Sequence, residues 1–245
     1  SAADWERVER DTRAWGNGEL ERPLVYLAVA GPVDRPRPRG YQSNYPMDLP
    51  PDALWDLYAP FIEATRYYGD AFPWLWVNFG PGIMAGFCGA QVNSVTEPSE
   101  TVWFNPPGPR TVQDLELRYD PGNAWWQRVS ALTAALVERY GGLLQVSHTD
   151  LGGNLDILAS FVTTEQLLFD VVEQPEAVER QVEQITRLWL RYYAELETLI
   201  RPPCRGTSSW TPIWSPGRTY MLQCDFSYMI GPKMFERFVM PDLVA

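Results

Sequence analysis

The chain alternates short, nearly continuous apolar runs with longer stretches whose apolar residues recur at helical spacing. Residues 23–30 (PLVYLAVA), 74–79 (WLWVNF), 143–148 and 218–225 read as four principal strands. The first two are apolar on both faces, which predicts strands covered on both sides, as in a parallel sheet or barrel. Residues 4–19, 51–69, 123–140, 164–170 and 175–200 read as helices, and 232–245 starts another. In the longest, Val178, Val182, Ile185, Leu188, Tyr192, Leu196 and Leu199 form one apolar stripe. Asp52 falls in the first turn of its helix, where a negative charge suits the dipole. The pair Gly141-Gly142 predicts a left-handed cap after the 123–140 helix. Residues 101–104 read as one arm of a local hairpin.

Strands alternating with long helices imply a parallel sheet with right-handed crossovers. No G-x-G-x-x-G or Walker-type glycine loop follows a strand, which weakens a nucleotide-binding doubly wound fold. The expected class is therefore α/β, a (β/α)8 TIM barrel in a single domain over 1–245. A closed barrel takes eight strand–helix units, so the sequence reads as truncated after about the fourth. The alternative is an open four-stranded α/β domain that dimerises across its edge.

Composition narrows the partners. Acidic residues outnumber basic ones by 31 to 20, a net charge of −11, which disfavours nucleic acid and anionic membrane surfaces. A small anion held by local arginines stays compatible. The 11 Trp, 12 Tyr and 10 Phe call for a large core or a stacking cleft. Cys88, Cys204 and Cys224 are widely spaced, with no C-x-x-C pair, so neither a disulfide framework nor a thiolate zinc site is expected. The polar start carries no signal-peptide pattern and no apolar run approaches a bilayer span, so a cytoplasmic location is expected.

Barrel chemistry gathers at the carboxyl ends of strands, which singles out four clusters. Arg35, Arg37, Arg39 and Tyr41 follow the first strand and form either a polycarboxylate clamp or a solvated Pro/Arg loop. Asn78 with Gly80-Pro81-Gly82 follows the second and is either a ligand-facing loop or a tight turn. His148, Asp150, Asn154 and Asp156 follow the third. His148 is the only histidine and titrates near neutrality when unperturbed, so it is a candidate proton donor. Asp150 or Asn154 can alternatively cap the next helix. Gln223, Asp225, Ser227 and Tyr228 follow the fourth, with Asp225 too far upstream to cap the helix at Pro232. Trp210, Trp214 and Tyr220 lie just before and form either a flat ligand face or core.

The stretch LQCDFSYMIGPKMFERFVMPDL resembles the uroporphyrinogen decarboxylase superfamily: a strand ending in Leu-Gln, an acidic and serine-bearing loop, then Gly-Pro-x-x-Phe-x-x-Phe and a proline-bearing helix. Leu222, Gln223, Asp225, Ser227, Gly231, Pro232, Phe235, Phe238 and Pro241 occupy those places. The segments LLQVSHTDLGGNLDILASF and WVNFGPG are more weakly similar to members of that superfamily. The resemblance implies a TIM barrel of which this sequence covers the N-terminal part. It implies cofactor-free decarboxylation of a carboxylated tetrapyrrole, with arginines holding carboxylates and His148, Asp150 or Asp225 managing the proton. Asn154, Asp156, Trp210, Gln223, Ser227, Tyr228, Asn78 and the first-loop Arg35, Arg37, Arg39 and Tyr41 are then substrate contacts. Relatives in the same superfamily are methyltransferases using zinc and corrinoid proteins, which makes a corrinoid protein one expected macromolecular partner; a second copy of the chain is the other, from the open-sheet alternative. A non-catalytic, partner-binding barrel is a third reading. The acidic loop is about two residues shorter than in the decarboxylases proper, and the chain departs from their pattern in two further places. Only Arg39-Gly40-Tyr41 resembles the arginine signature, and Asn78 stands where an aspartate is expected.

Overall fold

A computed structural model describes residues 2–97, 99–202 and 204–245. It is mixed α/β, about 47% helix and 11% strand, so helices supply most of the packing surface. In chain order the elements are α1 (Ala2–Gly16), β1 (Tyr26–Val29), α2 (Pro51–Ala64), β2 (Arg66–Gly69), β3 (Trp74–Trp76), α3 (Met84–Phe87), β4 (Gln91–Val95) and β5 (Thr101–Asn105). Then come α4 (Ala124–Tyr140), β6 (Gln145–Ser147), α5 (Asn154–Val162), α6 (Thr164–Glu173), α7 (Pro175–Ile200), α8 (Pro232–Phe238) and α9 (Met240–Leu243). Short 3-10 turns cover Gln42–Asn44 and Asp225–Met229. The strands form three separate two-stranded sheets, and no barrel closes among the described residues. None of the described helices is long and apolar enough to cross a membrane.

The chain divides into two compact units. The first comprises Ser1–Val77, Ser130–Thr149 and Leu196–Met221. In it β3 and β6 pair in parallel, with Leu75 opposite Val146, as the apolar runs predict. Val8, Phe72 and Trp214 form a buried cluster with Trp5, Tyr26 and Trp74 packed against it. Trp55 is fully buried and its indole N–H donates to the Leu132 carbonyl at 3.0 Å, so the ring is buried without an orphaned donor.

Two expectations fail in this unit. The first apolar run pairs antiparallel with β2, Leu27 opposite Tyr68, and its Val25, Leu27 and Val29 are exposed. The cause is that the helix from Pro51 stops at Ala64: Arg66-Tyr67-Tyr68 favours a strand, and the chain turns at Gly69 with φ 64°. Gly141 and Gly142 do not take a left-handed cap; Gly141 N still bonds Val137 O at 2.8 Å, and Leu143 N bonds Tyr140 O at 2.7 Å.

The second unit comprises Asn78–Val129, Asp150–Glu195 and Leu222–Ala245. The predicted hairpin arm is β5, paired antiparallel with β4. Phe87, Trp126, Tyr119 and Tyr192 pack ring to ring with centroids 4.9–5.2 Å apart, and they fasten α7 through its apolar stripe. Gln181 Nε2 donates to the carbonyls of Val112 and Leu115 at 3.1 and 2.9 Å, so carbonyls of the irregular segment before α4 find a donor on α7.

The predicted fourth strand, 218–225, is not a strand. Two of its backbone donors, those of Met221 and Asp225, go to side chains instead of a neighbouring ladder. Met221 N bonds Ser209 Oγ at 3.3 Å in the first unit, and Asp225 N and Phe226 N bond Asp156 in the second.

Candidate functional site

A polar cluster lies in the second unit, where two glycine-bearing loops meet. Gly152 has φ 89°, and a Cβ placed on it would lie 2.6 Å from Gly82 Cα, so only glycine permits this approach. The contact carries the neighbouring Asp150 inward: Ile83 N bonds the Asp150 carbonyl at 3.1 Å, and Gly152 N bonds its Oδ1 at 3.0 Å. Gln223 Nε2 reaches the same oxygen at 3.0 Å. Asp150 is buried, and desolvation pushes its carboxyl up to about 7. The Gly152 and Gln223 bonds oppose that rise, while the negative charges of Asp225 and Asp156 add to it.

Asp156, in the first turn of α5, works differently. Its Oδ2 accepts from Asp225 N at 2.9 Å and its Oδ1 from Phe226 N at 2.7 Å. The carboxylate thus satisfies the free amides at the start of the Asp225–Met229 turn, the task usually given to a local cap. Burial still raises its pKa above the ordinary value, against those two bonds.

A groove of about 360 Å³ opens beside this cluster. The hairpin residues Thr101–Phe104 form one wall, and Asp156 and Ser160 of α5 another; Gln223, Asp225, Phe226 and Met229 complete it. No arginine or lysine lines it. Gln223 stands in the lining while Asp150 does not, so the raised carboxyl lies one hydrogen bond behind the groove wall. The arrangement offers an exposed carboxylate at Asp225, aromatic surface at Trp103, and a carboxyl of raised proton affinity behind Gln223.

Other candidates in this unit fall outside the groove lining. Asn154 does not cap α5, whose N-cap is Gly153; its Nδ2 bonds Thr186 Oγ1 at 2.7 Å, and Thr186 bonds Asp242 Oδ1 at 2.7 Å. That chain ties α5 to α7 and α9, so Asn154 is a fastening residue. Ser227 Oγ bonds the Cys224 carbonyl at 2.7 Å and closes its own turn, and Tyr228 is 95% exposed. Asn78 Oδ1 accepts from Gly80 N at 3.1 Å, the tight-turn reading of that motif.

The remaining candidates lie in the first unit. His148 is wholly buried, and desolvation pushes its imidazole down to about 3, so it is neutral at pH 7. This corrects the expectation of a histidine titrating near neutrality: burial disfavours the charged imidazolium. Its backbone N bonds Ser208 O at 3.0 Å. Arg35, Arg37 and Arg39 are exposed, and none forms an ion pair among the described residues. Arg39 is held by its backbone, with N bonding Tyr45 OH at 2.8 Å and O accepting from Tyr58 OH at 2.6 Å, and Tyr41 directly precedes the Gln42–Asn44 turn. Trp210 is half-buried, while Trp214 is core.

Sequence reasoning missed the hairpin wall. Its one signal was the position of the 101–105 strand, shortly after the Gly-Pro-Gly turn whose Pro81 also lines the groove. Comparison with protein-family models, curated proteins and solved structures yields no match.

Proposed function

We propose that this chain carries the acid–base site of a uroporphyrinogen-decarboxylase-like lyase on a (β/α) barrel scaffold, acting without a cofactor on a carboxylated tetrapyrrole-like substrate. The observation that supports it best is the buried Asp150 carboxyl, raised to about 7 and hydrogen-bonded to Gln223 in the groove wall. Loss of CO₂ leaves a carbanion that must take a proton, so the reaction needs a group still partly protonated at neutral pH. Asp150 has such a value and His148 does not, and because Gln223 separates Asp150 from the groove, its proton reaches the ligand only when Gln223 swings aside. The groove has carboxylates and no cation among its lining residues, so it suits the N–H-bearing part of a ligand rather than its carboxylates. In this reading Asp225 accepts from ring N–H groups, and Gln223, fixed by Asp150, positions the ring.

The methyltransferase reading needs zinc bound by thiolate and imidazole ligands. Among the described residues no three His, Cys, Asp or Glu side chains group to hold a metal, and in the superfamily the zinc ligands belong to the second half of the barrel. The test is an anaerobic assay of the purified protein with a carboxylated porphyrinogen, following carboxyl loss by chromatography, with zinc content measured alongside. Turnover that falls at least about a hundredfold in Asp150→Asn is the expected result. Stoichiometric zinc, or neither turnover nor binding, overturns the proposal.

A further inference from the structure

The first unit contains a second cleft, of about 440 Å³, whose lining shares no residue with the groove of the second unit. Pro73 and the Gly142-Leu143 pair border it, immediately before β3 and β6, so it lies at the amino ends of the parallel strands. Three arginines line it, Arg7, Arg66 and Arg205, against a single acid, Asp4. The lining is net positive in a chain of net charge −11, with Glu9 from outside the lining pairing Arg205.

The guanidiniums are anchored. Arg7 Nη1 bonds the Gly69 carbonyl. Arg66 Nη1 bonds the carbonyls of Glu63 and Thr65 at 2.9 and 3.3 Å. Arg205 Nη1 lies 3.3 Å from Glu9, and its guanidinium carbon sits 5.6 Å from the Trp5 ring centroid. A guanidinium carries five N–H donors, and these bonds engage only Nη1 of each. Aromatic side chains line it as well: Trp5, which packs on Phe72 with centroids 5.3 Å apart, and Tyr67. Fixed guanidiniums beside aromatic walls favour a ligand that is both planar and negatively charged.

We propose that this cleft is a binding site for a planar aromatic carboxylate, held in place by Arg66 and Arg205 with its ring system against Trp5. The volume falls in the range of small-molecule sites. Neither arginine belongs to the acid–base cluster, so the site stands or falls independently of the lyase reading.

The probe is 2-naphthoate, titrated into the intact chain by calorimetry and by the indole N–H signal of Trp5, with 2-naphthalenemethanol as the neutral isostere and inorganic phosphate as the ion control. The expected result is saturable one-to-one binding of 2-naphthoate that shifts Trp5, at least about tenfold weaker for the alcohol and for Arg66→Met or Arg205→Met. Circular dichroism checks that each variant is folded; if one is not, the wild-type comparison of acid with alcohol decides alone. No saturable binding, equal binding of the alcohol, phosphate binding as tightly as 2-naphthoate, or unchanged affinity in folded variants overturns the proposal.

Discussion

Gln223 Nε2 donates a 3.0 Å hydrogen bond to Oδ1 of Asp150, a residue 73 positions earlier in the chain. This bond joins the segment after the first unit's last stretch to the loop that precedes α5, and it stabilises the charged form of a carboxyl that burial otherwise keeps neutral. The balance between these two effects sets the first prediction.

Asp150 rises from an ordinary value near 3.8 to about 7 on folding. Between those values the folded state holds the proton and the unfolded state does not, so the contribution to stability is full below about 4 and is lost as pH rises through about 7. Asp150→Asn removes this term. Urea unfolding at pH 5 and pH 8 should show the variant gaining on the wild type at the higher pH, by on the order of a few kcal/mol. Gln223→Leu removes an opposing bond and should move the wild-type transition to higher pH. An identical pH dependence in wild type and Asp150→Asn would show that the carboxyl does not titrate in this window.

Asp156 holds two backbone amides, those of Asp225 and Phe226, with charge-assisted bonds of 2.9 and 2.7 Å. Asp156→Ala strands both donors at a turn whose Phe226 ring is buried. A cost of about 2–4 kcal/mol is expected. Hydrogen exchange should localise it, with the Asp225 and Phe226 amides losing protection first. Asp156→Asn keeps an acceptor for one amide and should fall between the two. Unchanged exchange at both amides in Asp156→Ala would mean the turn is held by other contacts.

These two carboxylates also mark how far the sequence could be read. The stripe from Val178 to Leu199 predicts α7 because helical periodicity is local and the helix buries one face along its whole length. The parallel partnership of 74–76 with 145–147 likewise follows from two apolar runs that need cover on both faces. The polar cluster after the third run was visible as a concentration of polar side chains, and it contains Asp150 and Asp156. What was illegible depends on distant partners. Residues 218–225 have the composition of a strand, but their amides bond side chains such as Ser209 and Asp156, which no local pattern announces. His148 reads as a titrating group until its burial is known, and burial is a property of the packed unit. The first apolar run pairs with Tyr67 and Tyr68, where helical periodicity alone extends the preceding helix.

Asp70 supplies the opposite pH signature within the first unit. Its buried carboxylate accepts Arg22 Nη1 at 2.7 Å, Arg22 Nη2 at 2.8 Å and Val25 N at 2.7 Å. The Arg22 bonds hold it below the usual carboxylate range, against desolvation. A lowered value means that its contribution is present above the unfolded pKa and lost as pH falls through the folded one. Asp70→Asn should therefore cost about 1–2 kcal/mol at pH 7, a figure kept small because Arg22 is half exposed to solvent. The difference from wild type should shrink below about pH 4. A penalty that stays constant from pH 7 to pH 3 would assign the loss to packing rather than to charge.

Gly152 offers a test of the loop contact that places Asp150. Alanine there meets two separate obstacles: a φ of 89°, which side-chain-bearing residues rarely adopt, and the Gly82 backbone 2.6 Å from the new Cβ. Strain of this kind costs about 1–3 kcal/mol for the dihedral alone, and the clash with backbone cannot be relieved by a rotamer change. Gly108 is the control, since nothing lies within 4 Å of a Cβ added there and its φ lies outside the left-handed region. Thermal unfolding should show Gly152→Ala several degrees less stable than wild type and Gly108→Ala close to it. The loss should also reach the site: as the loops separate, water gains access to Asp150, and its carboxyl should move back toward the ordinary value. A Gly152→Ala protein as stable as Gly108→Ala would mean that the two loops do not make this contact in solution, and the burial that raises Asp150 would lose its structural cause.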